Sequence, residues 1–320
     1  MKAAVIRSYG SFEALEIQEV PIPDPDKGEV LVEVYGSSLN PIDIGMRSGK
    51  TRFFAWNRLP MVLGVDLAGV VLRTGPGVTA FAPGDRVYGL VNPLTQGAHA
   101  EYCTVPVNHI AHMPETISFR KAGIIPLAAL TALQALRDAG RLKTGQRVLI
   151  NGCTGGVGSF AVQIARHFGA EVIGICSRAN AELAQDLGAH EVIEYDTGSS
   201  HTISGKFHII LDLVGNIARR EFIRQLNEEG RYITPVINWS VFSKIPLWAV
   251  MRRPVYRIVM VKPQTQDLEY IRELVESDIV QPYFEMIYPL QYIQAGHKRL
   301  EDGGVRGKLV LELKEFEELL

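Results

Sequence analysis

One short run, Gly152, Thr154, Gly155, Gly156, Val157 and Gly158, has residue types and spacing suited to holding a diphosphate. Gly152, Gly155 and Gly158 recur at every third position, with Gly156 between them. The strand pattern VLIN precedes them, and the helical pattern SFAVQIARHFGA follows at once. Glycine allows a tight turn and a close approach of backbone to an anion, while the unpaired N–H groups and dipole of a helix start favour negative charge. A strand-to-helix turn with no ligand is the competing reading of the glycines alone.

The next segment favours the ligand. EVIGICSR, residues 171–178, is a second apolar run that ends where the ribose of an adenine dinucleotide would be read. An acidic side chain there would bind ribose hydroxyls and repel a 2′-phosphate. This chain has Ser177 and Arg178, a hydroxyl donor beside a permanent cation with a planar donor fork, which favours NADPH over NADH, the competing reading being that Arg178 is a solvated cap of the strand end. Asn180 reads as the N-cap of a helix over AELAQDLGA, and EVIEYD at 191–196 as a third strand. Tyr195 lies either against the same phosphate or at an ordinary strand position.

Residues 1–110 are dense in short strands and turns, from MKAAVI through VLVEVYGSSLN to AHAEYCTV, and read as a β-rich, barrel-like domain. AGIIPLAALTALQALRDAG is helical with a break near Pro126, and strands and helices then alternate from 147 to about 236, the signature of a parallel sheet covered on both faces. DLEYIRELVESDIV forms an amphipathic helix, and KLVLEL a closing strand that returns to the first domain. The expected fold class is therefore α/β: a Rossmann-type domain over 119–265, with a β-rich domain made of 1–118 and 266–320.

A formal net charge of −2 supplies no basic field, so nucleic acid is not an expected partner. Three cysteines, none in a C-x-x-C pair, fit a reducing compartment, and the opening MKAAVIRSYG lacks the apolar core of a signal peptide, so the expected location is the cytoplasm. The apolar stretch 241–261 is interrupted by Lys244, Arg252, Arg253, Arg257, Pro246 and Pro254, which argues against an integral membrane segment. It reads as a packed cover or subunit contact, or as a basic, aromatic-bearing surface that touches a membrane or roofs an apolar ligand, with Trp239 and Phe242 in the last case lining the substrate pocket.

Taken in order, MKAAV, SSLNPIDIGMRSG, LGVDLAGVV, GPGV, PGDRVYG, NGCTGGVG and GVRGKLVLEL resemble the medium-chain dehydrogenase/reductase superfamily along nearly the whole chain. Within it the chain is most similar to the zinc-free quinone oxidoreductases, zeta-crystallin among them. That resemblance implies a GroES-like first domain, bound NADPH, a homodimer, and a quinone or α,β-unsaturated carbonyl as substrate. Zinc-dependent relatives carry a Cys in the segment matching SSLNPID and a His-Glu pair in that matching LGVDLAG. Asn40 and Val65-Asp66 stand there instead, and the cysteines of a structural zinc lobe are missing, so no metal site is expected. His99, His109 and His112 read as ordinary strand or loop histidines.

Without a metal to stabilise an alkoxide, hydride addition to an already electrophilic carbon is the easier reaction. Asn40 is the first candidate catalytic residue, its amide N–H₂ donating to the developing oxyanion; the competing role is to cap the turn before Pro41. Asp43 is expected to orient the loop or hold Arg47, and Tyr88 to line the pocket or fill the core. The resemblance places Thr131 beside the nicotinamide carboxamide, against a mid-helix threonine bonded to its own backbone. No general acid stands out. Two rivals remain: a reductase or dehydrogenase of simple aldehydes or alcohols, and an NADPH-binding sensor that lacks turnover.

Overall fold

Strand β3, Glu29–Leu39, organises the first part of the chain, because its run of buried residues pairs with several partners. The computed structural model describes residues 1–51, 59–92, 97–196, 203, 205–217, 219–235 and 256–315. Before β3 come β1 (Lys2–Ile6) and β2 (Leu15–Glu19), an antiparallel pair joined by β4 (Met61–Val62) on the other edge of β1. Helix α1 (Pro41–Arg47) follows β3 directly, since Pro41 suits the first helical position and Asn40 the N-cap. Then come β5 (Asp66–Thr74), β6 (Arg86–Leu90), β7 (Tyr102–Pro106), β8 (Ile110–His112) and helices α2 (Phe119–Ala122) and α3 (Pro126–Gln134). The helical pattern is broken before Pro126, whose ring cannot continue a helix.

The second compact unit spans Thr131–Val261. It contains β9 (Arg147–Asn151), α4 (Gly156–His167), β10 (Glu171–Cys176), α5 (Ala181–Asp186), β11 (Glu191–Glu194), β12 (Phe207–Asp212), α6 (Arg219–Arg224), β13 (Leu226–Thr234) and β14 (Tyr256–Ile258). The strands form one sheet in the order β11-β10-β9-β12-β13-β14, every pair parallel. This is the Rossmann strand order, and its reversal point lies between β9 and β12. Val148, Leu149 and Ile150 of β9 are all fully buried, as a strand covered on both faces requires. Leu149, Ile173, Phe207, Ile210, Phe222 and Tyr232 form its core, each aliphatic side chain contributing about 1.5–3 kcal/mol by burial.

The tail returns to the first unit, Met1–Leu130 with Lys262–Leu320. It supplies α7 (Thr265–Glu276), β15 (Phe284–Pro289), α8 (Ile293–Glu301) and β16 (Lys308–Glu312). A seven-stranded sheet runs β15-β16-β3-β5-β6-β8, with β7 also on β3. β16 pairs antiparallel with the end of β3, Leu309 opposite Leu39. One step further, that register sets Lys308 opposite Asn40, so a strand end and a helix start meet a lysine from the far end of the sequence. No helix among the described residues is long and apolar enough to cross a membrane.

Candidate functional site

In the second unit, β9 ends at Asn151 and the chain turns at Gly152, whose φ of +82° is open to glycine at little strain. The N–H groups of Gly152 and Cys153 donate to the Ile175 carbonyl at 2.9 and 3.2 Å, which ties the turn to β10. Gly155 is the N-cap and Gly156 the first residue of α4, so Gly156, Val157 and Gly158 present first-turn N–H groups that lack partners within the helix. A side-chain carbon at Gly158 would stand 2.0 Å from the Gly152 carbonyl oxygen. The strand and helix therefore meet with room for hydrogen only, and the turn has the form of a diphosphate cradle. Thr154 is buried within it.

The sheet's reversal point carries polar side chains that sequence reasoning did not single out. Asn151 and Asp212 end adjacent strands, and Asn151 Nδ2 donates to Asp212 Oδ1 at 2.8 Å and to Asn216 Oδ1 at 3.0 Å. Asp212 also accepts from the N–H of Gly215 at 2.9 Å and from the Tyr232 hydroxyl at 2.5 Å, which fixes the loop after β12. Beyond β10, Ser177 precedes a short turn over Arg178–Asn180 and Asn180 precedes α5, neither with a side-chain cap bond. The Arg178 N–H donates to Asp196 Oδ1 at 2.8 Å, and the Tyr195 N–H to the Cys176 carbonyl at 3.1 Å. Arg178 and Tyr195 are thus held at neighbouring strand ends, both side chains exposed.

The first unit holds a different arrangement, a buried cluster around Asn40. Lys308 Nζ donates to Asn40 Oδ1 at 2.5 Å and lies 3.6 Å from Asp66 Oδ2. Asn40 Nδ2 donates to Asp66 Oδ2 at 2.9 Å and, through longer contacts, to Ser38 Oγ at 3.2 Å and the Ser38 carbonyl at 3.4 Å. The Ser38 hydroxyl donates to the same Asp66 oxygen. Asp66 Oδ1 accepts the Leu127 N–H at 2.7 Å, placing a carboxylate on the start of α3, where a helix dipole favours it. Asp43 closes the group, its Oδ2 accepting the Asn40 backbone N–H at 2.8 Å. Asn40, Asp43, Asp66 and Lys308 are all at most 5% exposed.

Burial sets the protonation of these groups. It pushes the Asp43 carboxyl up to about 7, against the stabilising Asn40 N–H, with the Asp66 charge adding to the rise. Burial draws the Lys308 ammonium below the ordinary lysine value, while Asp66 and Asp43 oppose that change. His99 Nε2 donates to the Ser38 carbonyl at 3.1 Å, and burial holds that ring down to about 4. His297 stands edge-on to it, ring centres 6.3 Å apart, and is lowered well below the usual histidine value, by burial first and then by His99 and Arg47.

Several expected roles find specific places. Tyr88 is fully buried and donates to the Leu268 carbonyl at 2.6 Å, which makes it a core residue. Asp43 does not hold Arg47: its carboxylate turns back to cap α1, and the Arg47 guanidinium pairs with Glu301 instead. Thr131 is a buried residue of α3. Trp239 and Phe242 lie outside the described residues. His112 packs against Phe81 and His109 is half-buried, whereas His99 belongs to the cluster around Ser38. Lys308 was missed; the available signal was a lysine placed directly before the apolar run Leu309–Leu311 of a closing strand.

A Rossmann-ordered sheet with a glycine cradle at the end of its first strand, in a chain whose other unit is β-rich, defines the class of dinucleotide-dependent oxidoreductases. Residues 26–115 match the family model described as alcohol dehydrogenase GroES-like domain, and 187–311 that described as zinc-binding dehydrogenase. The Bos taurus protein named NAD(P)H oxidoreductase RTN4IP1, mitochondrial, is 33% identical over 98% of this chain and 89% of its own length. A Solanum lycopersicum protein named 2-methylene-furan-3-one reductase is 32% identical over 97% of this chain and 79% of its own. The solved quinone oxidoreductase of Coxiella burnetii superposes with a TM-score of 0.90 at 32% identity, covering 98% of this chain and 99% of that one. The chain belongs to the medium-chain dehydrogenase/reductase superfamily, among its quinone oxidoreductase-like members.

The zinc in one family description can be tested against the side chains present. Catalytic zinc requires thiolate, imidazole or carboxylate ligands with a position left open. Here the Asn40 amide oxygen holds an ammonium ion, and Asp66 is engaged by Asn40, Ser38 and Leu127. Among the described residues no three His, Cys, Asp or Glu side chains gather as ligands, so this donor set does not fit the metal.

Proposed function

We propose that this protein is an NADPH-dependent reductase of quinones or α,β-unsaturated carbonyls that works without zinc. The observation that carries the reading is the seat of the glycine turn, where a Gly158 side chain would fill the space beside the Gly152 carbonyl. Gly152, Thr154, Gly155, Gly156, Val157 and Gly158 would hold the diphosphate, and Ser177, Arg178 and Tyr195 the ribose 2′-phosphate, with Thr131 toward the carboxamide. When bound, NADPH supplies the hydride. Relatives named as a quinone oxidoreductase and a furanone reductase support an electrophilic, conjugated acceptor.

The protein's own contribution is orientation and a hydrogen-bond donor for the oxygen that gains charge. Asn40 is the proposed donor. Its hydrogen toward Ser38 is shared between contacts of 3.2 and 3.4 Å, the longest bonds of its cluster, so a substrate oxygen could replace Ser38 as its acceptor at little loss. The Asp66 bond at 2.9 Å meanwhile keeps the amide in place. Three unpaired cysteines support a reducing compartment, and we assign the protein to the cytoplasm. We also assign it as a homodimer, for which β14, the last strand of the sheet among the described residues, offers an edge to a second copy.

A steady-state screen of NADPH oxidation against one-ring quinones, 2-alkenals and cyclic enones tests the reading, using enzyme dialysed against a chelator. Turnover with at least one class and no dependence on added zinc is expected. Turnover confined to simple alcohols with NADP⁺, or tight NADPH binding with no oxidation, would refute it. Asn40→Ala should lower kcat by about 10²-fold while NADPH affinity is nearly kept. An unchanged kcat would remove Asn40 from the chemistry.

A further inference from the structure

We infer that Lys308 is a positioning residue for Asn40, an internal ammonium that fixes which way the Asn40 amide faces and strengthens its N–H groups as donors. The inference rests on the reductase reading above. Its first support is the identity of the partners. An ammonium can only donate and a carboxylate can only accept, so Lys308 at Oδ1 and Asp66 at Nδ2 leave one of the two amide orientations satisfied. A flipped amide would set N–H₂ against ammonium and C=O against carboxylate.

The second support is where the lysine makes its closest contact. A lysine recruited only to pair with a buried acid would sit on the acid, yet Lys308 is 2.5 Å from the Asn40 oxygen and 3.6 Å from Asp66. A cation on an amide oxygen draws charge from the nitrogen, and hydrogen bonds in such a chain reinforce one another where water is excluded. Lys308 is only 4% exposed. The ammonium thus acts on the substrate oxygen through one amide and transfers no proton itself. It also opens β16, whose pairing with the end of β3 sets it opposite Asn40, so the fold delivers the charge to one place.

Lys308→Met keeps the length and removes the charge, and a double-mutant cycle with Asn40→Ala reads the coupling. We expect Lys308→Met to lower kcat about tenfold or more, with the NADPH dissociation constant within about twofold of wild type, and to add little further loss in the Asn40→Ala background. An equal loss in both backgrounds, or kcat unchanged, would overturn the inference. Because the single variant leaves Asp66 buried and uncompensated, Lys308→Met with Asp66→Asn provides a neutral pair for a chain that otherwise fails to fold. That variant should also lose kcat, and wild-type turnover in it would overturn the inference.

A second readout needs no turnover. The side-chain amide proton signals that vanish in Asn40→Asp identify Asn40 by nitrogen-15 NMR. They should exchange with solvent at least about tenfold faster in Lys308→Met or the neutral pair. Unchanged exchange would overturn the inference. A wild type that oxidises no NADPH would instead defeat the reductase reading, and the amide signals would still decide the role of Lys308.

Discussion

In Thr131–Val261 the candidate cofactor seat comes from one uninterrupted stretch, Asn151–Gly158, and is built mainly of backbone. The polar cluster of the other unit is assembled from Ser38, Asn40, Asp43, Asp66, Leu127 and Lys308, which lie on separate strands and helices. The first is defined by what glycine lacks, a Cβ that would strike the Gly152 carbonyl. The second is defined by charges that satisfy one another away from water. The backbone seat tolerates no added atom at Gly158, whereas a charge cluster tolerates a change of shape better than a change of charge.

Gly158→Val tests the steric half of this comparison and should have the largest effect. With even a Cβ at 2.0 Å from a backbone oxygen, strand and helix must separate, and NADPH affinity should fall below detection in a fluorescence titration. Binding within tenfold of wild type, roughly 1.4 kcal/mol, would show that the turn is not the seat. A smaller change is expected at the ribose end. Arg178→Ala should raise the KM for NADPH about tenfold and leave that for NADH nearly unchanged, because an exposed guanidinium gives up only the phosphate contact. Equal effects on the two cofactors would remove the phosphate assignment.

The smallest effect sharpens the charged side. Asp43 loses its proton near 3.8 when unfolded but near 7 in the folded chain, so between these values the unfolded state binds fewer protons and stability falls as pH rises. Asp43→Asn removes this loss. The variant should therefore gain on wild type in urea unfolding as pH rises from about 4 to about 7, with a slope of up to about 1.4 kcal/mol per pH unit. A stability difference that stays flat across that range would mean Asp43 is ionised in the fold. His99, lowered to about 4, acts oppositely: its contribution is present above 6.5 and is lost as pH falls through 4, in both proteins alike.

How far the sequence could be read follows the same division. The parallel sheet, the break at Pro126, the glycine turn and the return of the tail were legible, because each depends on residues close together or on a regular period. Asn40 was also legible, as the residue before Pro41 in a segment that resembles a metal-ligand segment of relatives. Its partners were not. Lys308 is 268 positions away in sequence, and only the antiparallel register of β16 on β3 brings the two together. For Asp43 the spacing to Arg47 suits a pair on one helix face as well as a role in orienting the loop, and the structure takes the second, because a carboxylate in the first turn finds a nearer donor in the Asn40 N–H.

The most direct test of the account is a single-turnover experiment in which metal-free protein, loaded with one equivalent of NADPH, is mixed in parallel with excess one-ring quinone, 2-alkenal or cyclic enone and followed by loss of the reduced-nicotinamide absorbance. The account predicts, with at least one of these acceptors, one hydride consumed per bound NADPH and hydroquinone or saturated carbonyl formed in equal amount. A protein that keeps its NADPH unoxidised, or that reacts only after zinc is restored, would contradict it.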